Sequence, residues 1–152
     1  METKLYSVGH SNKKANDLIT LLKRFKIDVL ADARTMPFSK YNPQFNRFDI
    51  AKLLDSSGIK YLYRGKNIGG KGVNEREDEA LDELVKMAKE GKKVAIMCSE
   101  GNFRDCHRFT KLAPKLLKKG VDTIHINWDN SSQSHAEFEN EESSANKQFE
   151  MF

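Results

Sequence analysis

Hydrophobic and polar positions follow two alternating periodicities along most of the chain. Short apolar runs have the length of buried strands, and they fall at residues 4–10, 27–33, 59–63, 93–97 and 122–127. Between them apolar residues recur at helical spacing, over about residues 14–26, 46–56, 75–90 and 108–119. Strands that alternate with helices form a sheet covered on both faces. The pattern therefore predicts an α/β three-layer sandwich with a mainly parallel, Rossmann-like sheet of about five strands.

Two long segments interrupt this pattern and are predicted to be loops. Residues 35–48 carry two prolines and several aromatic residues, and residues 64–74 carry four glycines. In the first segment aromatic side chains are mixed with Lys40 and Arg47, and Tyr61 and Tyr63 precede the second basic stretch, Arg64 to Lys71. Aromatic residues interleaved with bases can stack on nucleobases while they bind phosphates. The same residues can also pin a long loop to its own domain. A lid over a cleft satisfies both interpretations.

Charge divides the chain into a basic body and an acidic tail. The 152 residues suffice for one domain, which we place at residues 1–128. Residues 127–152 hold six acids and one base, a net −5, which leaves residues 1–126 with 25 bases and 16 acids, a net +9. The tail, residues 129–152, is predicted to be partly docked or flexible, with three phenylalanines able to dock it: Phe138, Phe149 and Phe152. A basic body favours an anionic partner.

Membrane and secreted classes are excluded by the pattern of apolar residues. No apolar run reaches the roughly 18–20 residues of a membrane span, and METKLYSVGH lacks the pattern of a signal peptide. The only cysteines are Cys98 and Cys106. Two cysteines without an export signal indicate reduced thiols and a cytoplasmic location.

Polar side chains collect where the predicted strands end. In an open parallel sheet, ligands bind outside the carboxyl ends of the strands. Four clusters occupy or follow such ends: Gly9-His10-Ser11, Asp32-Ala33-Arg34, Cys98-Ser99-Glu100 and Cys106-His107-Arg108. Because solubility gives no reason to place these residues beside buried strands, we interpret them as a functional site.

These clusters also form a recognisable series. The segments occur in the order TKLYSVGHSN, DVLADARTMPFSKYNPQF, GIKYLYRGKNIGG, VAIMCSEGNFRDCHR and HIN-D-S-SHAE. The series resembles the family called domain of unknown function 488, from about residue 4 to residue 137. Ile68 stands where that family usually has leucine. The resemblance implies a small α/β protein that acts on some substrate, and it brings no activity with it.

Each candidate residue has a chemical role and a structural alternative. Arg34 and Arg108 are predicted anion anchors, because an arginine fork matches phosphate geometry and Arg108 falls in the first turn of a helix. Arg34 can instead pair with Asp32 or Glu100. His10 and Glu100 are candidate proton carriers, although His10 can instead cap the following helix.

Four further residues are predicted to bind the ligand: Ser11, Asp32, Cys106 and His107. Cys98 is placed at the centre of the cleft, as a nucleophile or as a polar wall. His125 alternates with apolar neighbours and is predicted to bond within the core or at the cleft edge. Ser11 and Asn12 are candidate N-caps of the first helix.

The two cysteines allow several interpretations. They can ligate a soft metal together with His107 and His10, form a transient disulfide, or leave Cys98 as a small buried residue. Residues 98–104 also fit C-x5-R, the spacing of cysteine phosphatases, with Arg104 as its arginine. The predicted helix start at 106–108 is late for such a loop. Structural zinc sites use shorter spacings, so we expect no metal and no cofactor.

The function predicted from these residues is an enzyme whose cleft binds a phosphorylated ligand, either a nucleotide or the nucleic-acid backbone. A hydrolase or transferase is favoured. The first alternative is a non-catalytic module that binds nucleotides or nucleic acid. The second is a redox or metal site on the two cysteines, or a phosphatase-like or rhodanese-like hydrolase. The substrate and the oligomeric state stay open.

Overall fold

The computed structural model describes residues 3–150, with side chains described up to residue 142. It contains one six-stranded sheet in the order β3-β2-β4-β1-β5-β6. The strands are β1 Lys4–Gly9, β2 Val29–Asp32, β3 Lys60–Tyr63, β4 Val94–Cys98, β5 Asp122–Ile126 and β6 Ser132–Ser134. All neighbouring strands run parallel except β5 and β6, which are antiparallel. The predicted α/β sandwich with a mainly parallel sheet is confirmed.

Helices cover both faces of this sheet. They are α1 Ala15–Arg24, α2 Arg47–Ser56, α3 Gly65–Ile68, α4 Glu77–Lys89, α5 Ala113–Lys118 and α6 His135–Glu150. The leucines of α1 and the apolar side chains of α2 pack with Leu30 and Met97 on one face. Those of α4 and α5 pack with Leu5 and Ile96 on the other. Successive strand residues point to opposite faces, so the continuous apolar runs in the sequence serve two cores.

Three local features differ from the sequence-based prediction. The segment 64–74 contains the short helix α3, and the predicted helix 108–119 begins as a π-helical turn, Arg108–Leu112, before α5. Ser11 and Asn12 do not cap α1, whose N-cap is Lys14 without a side-chain cap bond. The reason is that Ser11 takes a left-handed conformation, with φ of 53°, and the chain continues for three more residues before the helix begins.

The sixth strand, which was not predicted, lies at the start of the acidic segment. Residues 132–134 pair with β5, and the carboxylate of Asp122 in β5 accepts hydrogen bonds from the Ser134 hydroxyl and the Ala136 amide. Phe138 packs edge-on against Phe109, with ring centroids 4.9 Å apart. The side chains of Phe149 and Phe152 lie outside the described residues. The division of the chain at residue 128 stays a prediction.

Within residues 3–150, none of the helices is both long and apolar enough to cross a lipid bilayer.

Candidate functional site

The two cysteine side chains meet at the carboxyl end of the sheet. Cys98 is the last residue of β4, where it pairs with Gly9 of β1. A 3₁₀ turn, Phe103–Asp105, leads the chain back toward the strand end. Cys106 follows this turn, and its Sγ atom lies 2.6 Å from the Sγ atom of Cys98. Both cysteines are reduced and nearly buried, with 4% and 6% of their surfaces exposed.

His107 presents a lone pair to this sulfur pair. Its Nε2 atom lies 2.9 Å from the carbonyl oxygen of Ile68. A carbonyl only accepts hydrogen bonds, so Nε2 carries the proton and Nδ1 of the neutral ring does not. Nδ1 lies 3.6 Å from the Sγ atom of Cys106. The geometry lets His107 take the proton of the Cys106 thiol.

Arg108 is buried behind the thiols with much of its guanidinium unpaired. Only 1% of its surface is exposed. Its Nη2 atom makes a long bond of 3.4 Å to the Gly101 carbonyl, while Nε and Nη1 have no hydrogen-bond partner among the described residues. A buried cation of this kind is costly unless an anion lies nearby. Its charge acts on both sulfurs and on the imidazole of His125.

The two thiols differ in acidity for identifiable reasons. Burial raises the pKa of Cys98 well above its ordinary value, and the hydrogen bond with Cys106 adds to this, while Arg108 opposes it. The pKa of Cys106 is lowered by the hydrogen bond from Cys98, against the effect of burial, with further contributions from His107 and Arg108. Cys106 is therefore the thiolate of the pair, and Cys98 is the thiol that donates to it.

A cleft of about 270 Å³ gives access to the sulfurs. Its lining is shared by the segment after β2, the paired glycines after α3 and the loop after β4, and comprises Arg34, Thr35, Met36, Gly70, Lys71, Cys98, Ser99, Glu100, Asp105, Cys106 and His107. The two cations of this lining are matched by two carboxylates. The cleft wall is thus not strongly positive.

A second cluster lies at the same edge but on the other face of the sheet. Asp32 shares the face of Leu30, toward α1 and α2, whereas Cys98 shares the face of Ile96, toward α4 and α5. Arg34 donates from Nε and Nη2 to the fully buried Asp32 carboxylate, at 2.9 and 2.8 Å. Arg34 thus forms the structural ion pair with Asp32 that the sequence offered as an alternative, and the Asp32 carboxylate balances its charge.

His10 belongs to this second cluster. Its Nδ1 donates to the Ser11 carbonyl at 2.7 Å, and its Nε2 faces the Arg34 guanidinium at 3.4 Å. Its ring stacks on Phe45 at 4.3 Å. Burial lowers the pKa of His10 to about 4. Since both ring nitrogens have partners, these contacts do not favour His10 as a proton carrier.

Other predicted site residues take peripheral positions. Glu100 lines the cleft from an exposed turn, where its Oε1 accepts from the Asn102 amide at 3.0 Å. Ser11 lies in the adjacent turn, and its amide donates to the Ser99 carbonyl. Phe45 anchors the loop 35–48, whereas Phe38 and Tyr41 are 51% and 92% exposed.

The arginine of the C-x5-R spacing does not face the cysteines. The Arg104 guanidinium lies 4.8 Å from the ring centroid of Phe138, over the last helix. Arg108, four residues later, approaches Cys98 instead. The phosphatase interpretation assigned the wrong arginine, because the 3₁₀ turn at 103–105 directs Arg104 away from the strand end.

His125 lies in a buried hydrogen-bond chain, as its alternation with apolar residues predicted. Its Nδ1 is 2.6 Å from the Ser7 hydroxyl, and its Nε2 is 3.0 Å from Nδ1 of His135. His135 in turn places Nε2 3.2 Å from a carboxylate oxygen of Glu139. Because the Glu139 carboxylate only accepts, each group in this chain donates to the next one. The Ser7 hydroxyl donates to His125, His125 donates to His135, and His135 donates to Glu139.

Two residues of the thiol site, Gly70 and Ile68, were not predicted from the sequence as site residues. A Cβ atom on Gly70 would lie 2.8 Å from Nδ1 of His107, so only glycine lets the loop pack on this ring. Ile68 contributes its carbonyl oxygen, which has no signature in a sequence. The paired glycines after a predicted strand were the available signal for Gly70.

Fold and site together define an α/β protein with a cysteine pair at the carboxyl end of a parallel sheet. Its resemblance to a family is confirmed, because the family described as "Domain of unknown function DUF488" matches residues 14–75. The matched segment includes Arg34 and the two long loops and ends before Cys98. Comparison with curated proteins and with solved structures found no match.

Proposed function

We propose that this protein is a thiol-disulfide oxidoreductase in which Cys106 attacks and Cys98 resolves. The observation that carries the proposal is the contact of the two sulfurs, 2.6 Å apart, at the floor of a cleft. A thiolate beside a buried thiol is the arrangement in which a mixed disulfide passes to an internal one. The cytoplasm, which keeps thiols reduced, is the compartment proposed for it.

The reaction consumes one disulfide and the two thiols. The Cys106 thiolate attacks one sulfur of the substrate disulfide, forms a mixed disulfide and releases the first substrate thiolate. That thiolate takes the proton of Cys98, and the new Cys98 thiolate attacks the Cys106 sulfur. The second substrate thiolate leaves and takes a proton from solvent or from His107. The products are two substrate thiols and the Cys98–Cys106 disulfide. This proposal moves the nucleophile from Cys98, predicted from the sequence, to Cys106.

Glutathione disulfide tests the two roles separately. In the reduced protein we expect loss of two hydrogens and a peptide that joins Cys98 to Cys106 by mass spectrometry. Cys98→Ser should accumulate a mixed disulfide on Cys106, because its resolving thiol is gone. Cys106→Ser should react at least tenfold more slowly, and Ser99→Ala in the same cleft should react as the wild type does. A mixed disulfide that accumulates on Cys98 in preference to Cys106 would refute the assignment.

A second candidate function is binding of a nucleotide or nucleic acid beside the cleft. The segments 35–48 and 64–76 carry six bases against one acid, and they expose the large apolar side chains Met36, Phe38, Tyr41, Phe48 and Val73. The Arg47 guanidinium lies 4.3 Å from the ring centroid of Tyr63. Exposed aromatic rings among cations can stack on bases and contact phosphates. If the protein is a hydrolase or transferase, these two segments would hold a phosphorylated substrate next to the thiols.

A single-stranded oligonucleotide tests this second function. Its affinity should fall steeply as salt concentration rises, because phosphate contacts release counterions. Tyr41→Ala should weaken binding by tenfold or more, since stacking contributes about 1–3 kcal/mol per base. Val73→Ala is the matched exposed control and should bind as the wild type does. Affinity that is independent of salt argues against phosphate binding.

A further inference from the structure

We propose that Cys98, Cys106 and His107 form a three-ligand site for a soft divalent metal ion such as Zn²⁺, with the fourth position open to the cleft. Their Sγ, Sγ and Nδ1 atoms all lie within 4.8 Å of one another. Thiolate and imidazole are the ligands that zinc prefers. The site shares its sulfurs with the proposed exchange reaction but does not depend on that reaction.

The orientation of His107 is that of a metal ligand. Histidines that bind metals usually donate their other ring N–H to a backbone carbonyl or a carboxylate, which fixes the tautomer and the ring plane. His107 donates from Nε2 to the Ile68 carbonyl at 2.9 Å. Gly70 packs directly on the ring, which holds its plane. Nδ1 is therefore left with its lone pair directed at the sulfurs.

The distances require small movements of the ligand side chains. In a tetrahedral site with Zn–S bonds of about 2.3 Å, two sulfurs lie about 3.8 Å apart and a sulfur and a nitrogen about 3.6 Å. The Cys106 sulfur and the His107 nitrogen are already 3.6 Å apart. The sulfurs, 2.6 Å apart, must separate by about 1 Å. Cys98 is held in the sheet by its pairing with Gly9, so the separation of the two sulfurs falls on Cys106, which lies outside the sheet. The Cys98 sulfur and the His107 nitrogen lie within 4.8 Å of one another, and a small shift of the His107 side chain would set their distance.

The surroundings suit a site with an exchangeable ligand. Structural zinc sites are closed by four protein ligands, whereas sites with three protein ligands keep a position for water or substrate. Here the open side is the cleft of about 270 Å³. Two thiolates balance the charge of the dication, and the nearby charge of Arg108 favours the thiolate form of Cys98. His10, the fourth ligand considered from the sequence, faces Arg34 instead and takes no part.

Cobalt(II) titration of the reduced full-length protein tests the site. We expect one equivalent to bind, with the ligand-field bands of tetrahedral Co²⁺ and a thiolate-to-cobalt charge-transfer band, and Zn²⁺ to displace it. Cys98→Ser and Cys106→Ser should each lower the Co²⁺ affinity at least 100-fold, and His107→Ala at least 10-fold. Gly70→Ala should also lower it, because its Cβ would crowd Nδ1. Lys71→Ala, in the same cleft, should bind as the wild type does.

Two further measurements keep the test independent of folding and of the exchange reaction. In the wild-type protein, Zn²⁺ should protect Cys106 from iodoacetamide, and the disulfide form should bind no Co²⁺. Absence of tetrahedral bands from the reduced wild type, or full affinity in the His107→Ala variant, overturns the metal site. Exchange with glutathione disulfide is measured in the presence of a chelator, so its failure in a protein that binds Co²⁺ overturns only the proposed oxidoreductase.

Discussion

The Nε2 atom of His125 lies 3.0 Å from the Nδ1 atom of His135, and this contact links the centre of the sheet to the last helix. His125 belongs to β5, next to Ser7 of β1, while His135 is the first residue of α6. Both imidazoles are buried, with 0% and 1% of their surfaces exposed. The docking of the C-terminal segment on the body therefore depends on a contact between two buried imidazole rings.

Acid should destabilise the protein through His125. Burial lowers the pKa of this imidazole to about 3 in the folded protein, and the nearby His135 and Arg108 add to the effect. Between about pH 6.5 and pH 3, His125 binds a proton in the unfolded chain but not in the folded protein. Stability is therefore fully present above pH 6.5 and falls as the pH drops toward 3. Denaturant unfolding at several pH values measures this slope.

Replacing His125 by phenylalanine separates titration from packing. His125→Phe keeps an aromatic ring beside Phe103, whose ring centroid lies 4.5 Å away. It should reduce the slope of unfolding free energy against pH by up to one proton. At neutral pH it should cost about 1–3 kcal/mol, because the Ser7 hydroxyl loses its acceptor. An unchanged slope would show that His125 does not carry the acid sensitivity.

Alkylation should be selective for Cys106 and nearly independent of pH above 6. The Cys98 hydrogen bond, His107 and Arg108 lower its pKa, and thiolates are the reactive form. Iodoacetamide should modify Cys106 at pH 6.5 and at pH 8.5 at rates within about threefold, while an ordinary thiol gains about tenfold per pH unit below its pKa. Peptide mass spectrometry locates the label. Faster modification of Cys98 would contradict the assignment.

Removal of the Arg108 charge should raise the pKa of Cys106. Arg108→Met keeps most of the buried volume and removes the cation, so the thiolate loses its counter-charge. We expect an upward shift of at least about one unit, equivalent to about 1.4 kcal/mol. The ultraviolet absorbance of the thiolate, followed against pH, gives the shift. Arg104→Met is the matched control and should leave the titration unchanged, since Arg104 faces Phe138.

Substitution of Gly9 should be far more damaging than substitution of Gly101. A Cβ atom on Gly9 would overlap the carbonyl oxygen of Glu100 and lie 3.0 Å from Nη1 of Arg108. Because the carbonyl belongs to the backbone, the loop after β4 must shift. Gly9→Ala should cost roughly 2–3 kcal/mol, within the range of overpacking, and slow the alkylation of Cys106.

The control for this prediction is Gly101→Ala. Its Cβ atom would lie 3.1 Å from Cβ of the Ser11 side chain, on a half-buried turn where that short side chain can adjust. Its unfolding free energy should therefore stay within about 0.5 kcal/mol of wild type, the range of ordinary surface substitutions. Equal effects of the two substitutions in urea unfolding would mean that the approach of β1 to residue 100 is not tightly constrained.

The sequence predicted the architecture because apolar runs and helical periodicity report burial directly. The strand predicted at 93–97 appears as Val94–Cys98, and the helix predicted at 75–90 as Glu77–Lys89. Strand β6, which has the sequence Ser-Gln-Ser, carries no apolar signal. It forms because the β5 edge and the Asp122 carboxylate supply partners that are distant in sequence.

The sequence predicted which strand ends carry the site, but not which side chains come together there. Those ends do meet at one edge, but alternation along β2 and β4 sends Asp32 and Cys98 to opposite faces. The pairing of Arg34 with Asp32, two residues apart, was foreseeable from proximity. The choice of Arg108 over Arg104 depends on the 3₁₀ and π-helical turns between residues 103 and 112, whose winding leaves no periodic pattern.

If the thiol pair exchanges disulfides as we propose, the buried charge of Arg108 would favour its reduced form. In the reduced state the Cys106 thiolate balances the guanidinium. A disulfide is neutral, so oxidation would leave a cation in the core whose Nε and Nη1 find no acceptor among the described residues. Such a bridge would be less stable than one without a buried cation beside it, and would accept electrons more readily. Once formed, it would act as an oxidant toward other thiols, and its reduction would return the core to its relaxed state.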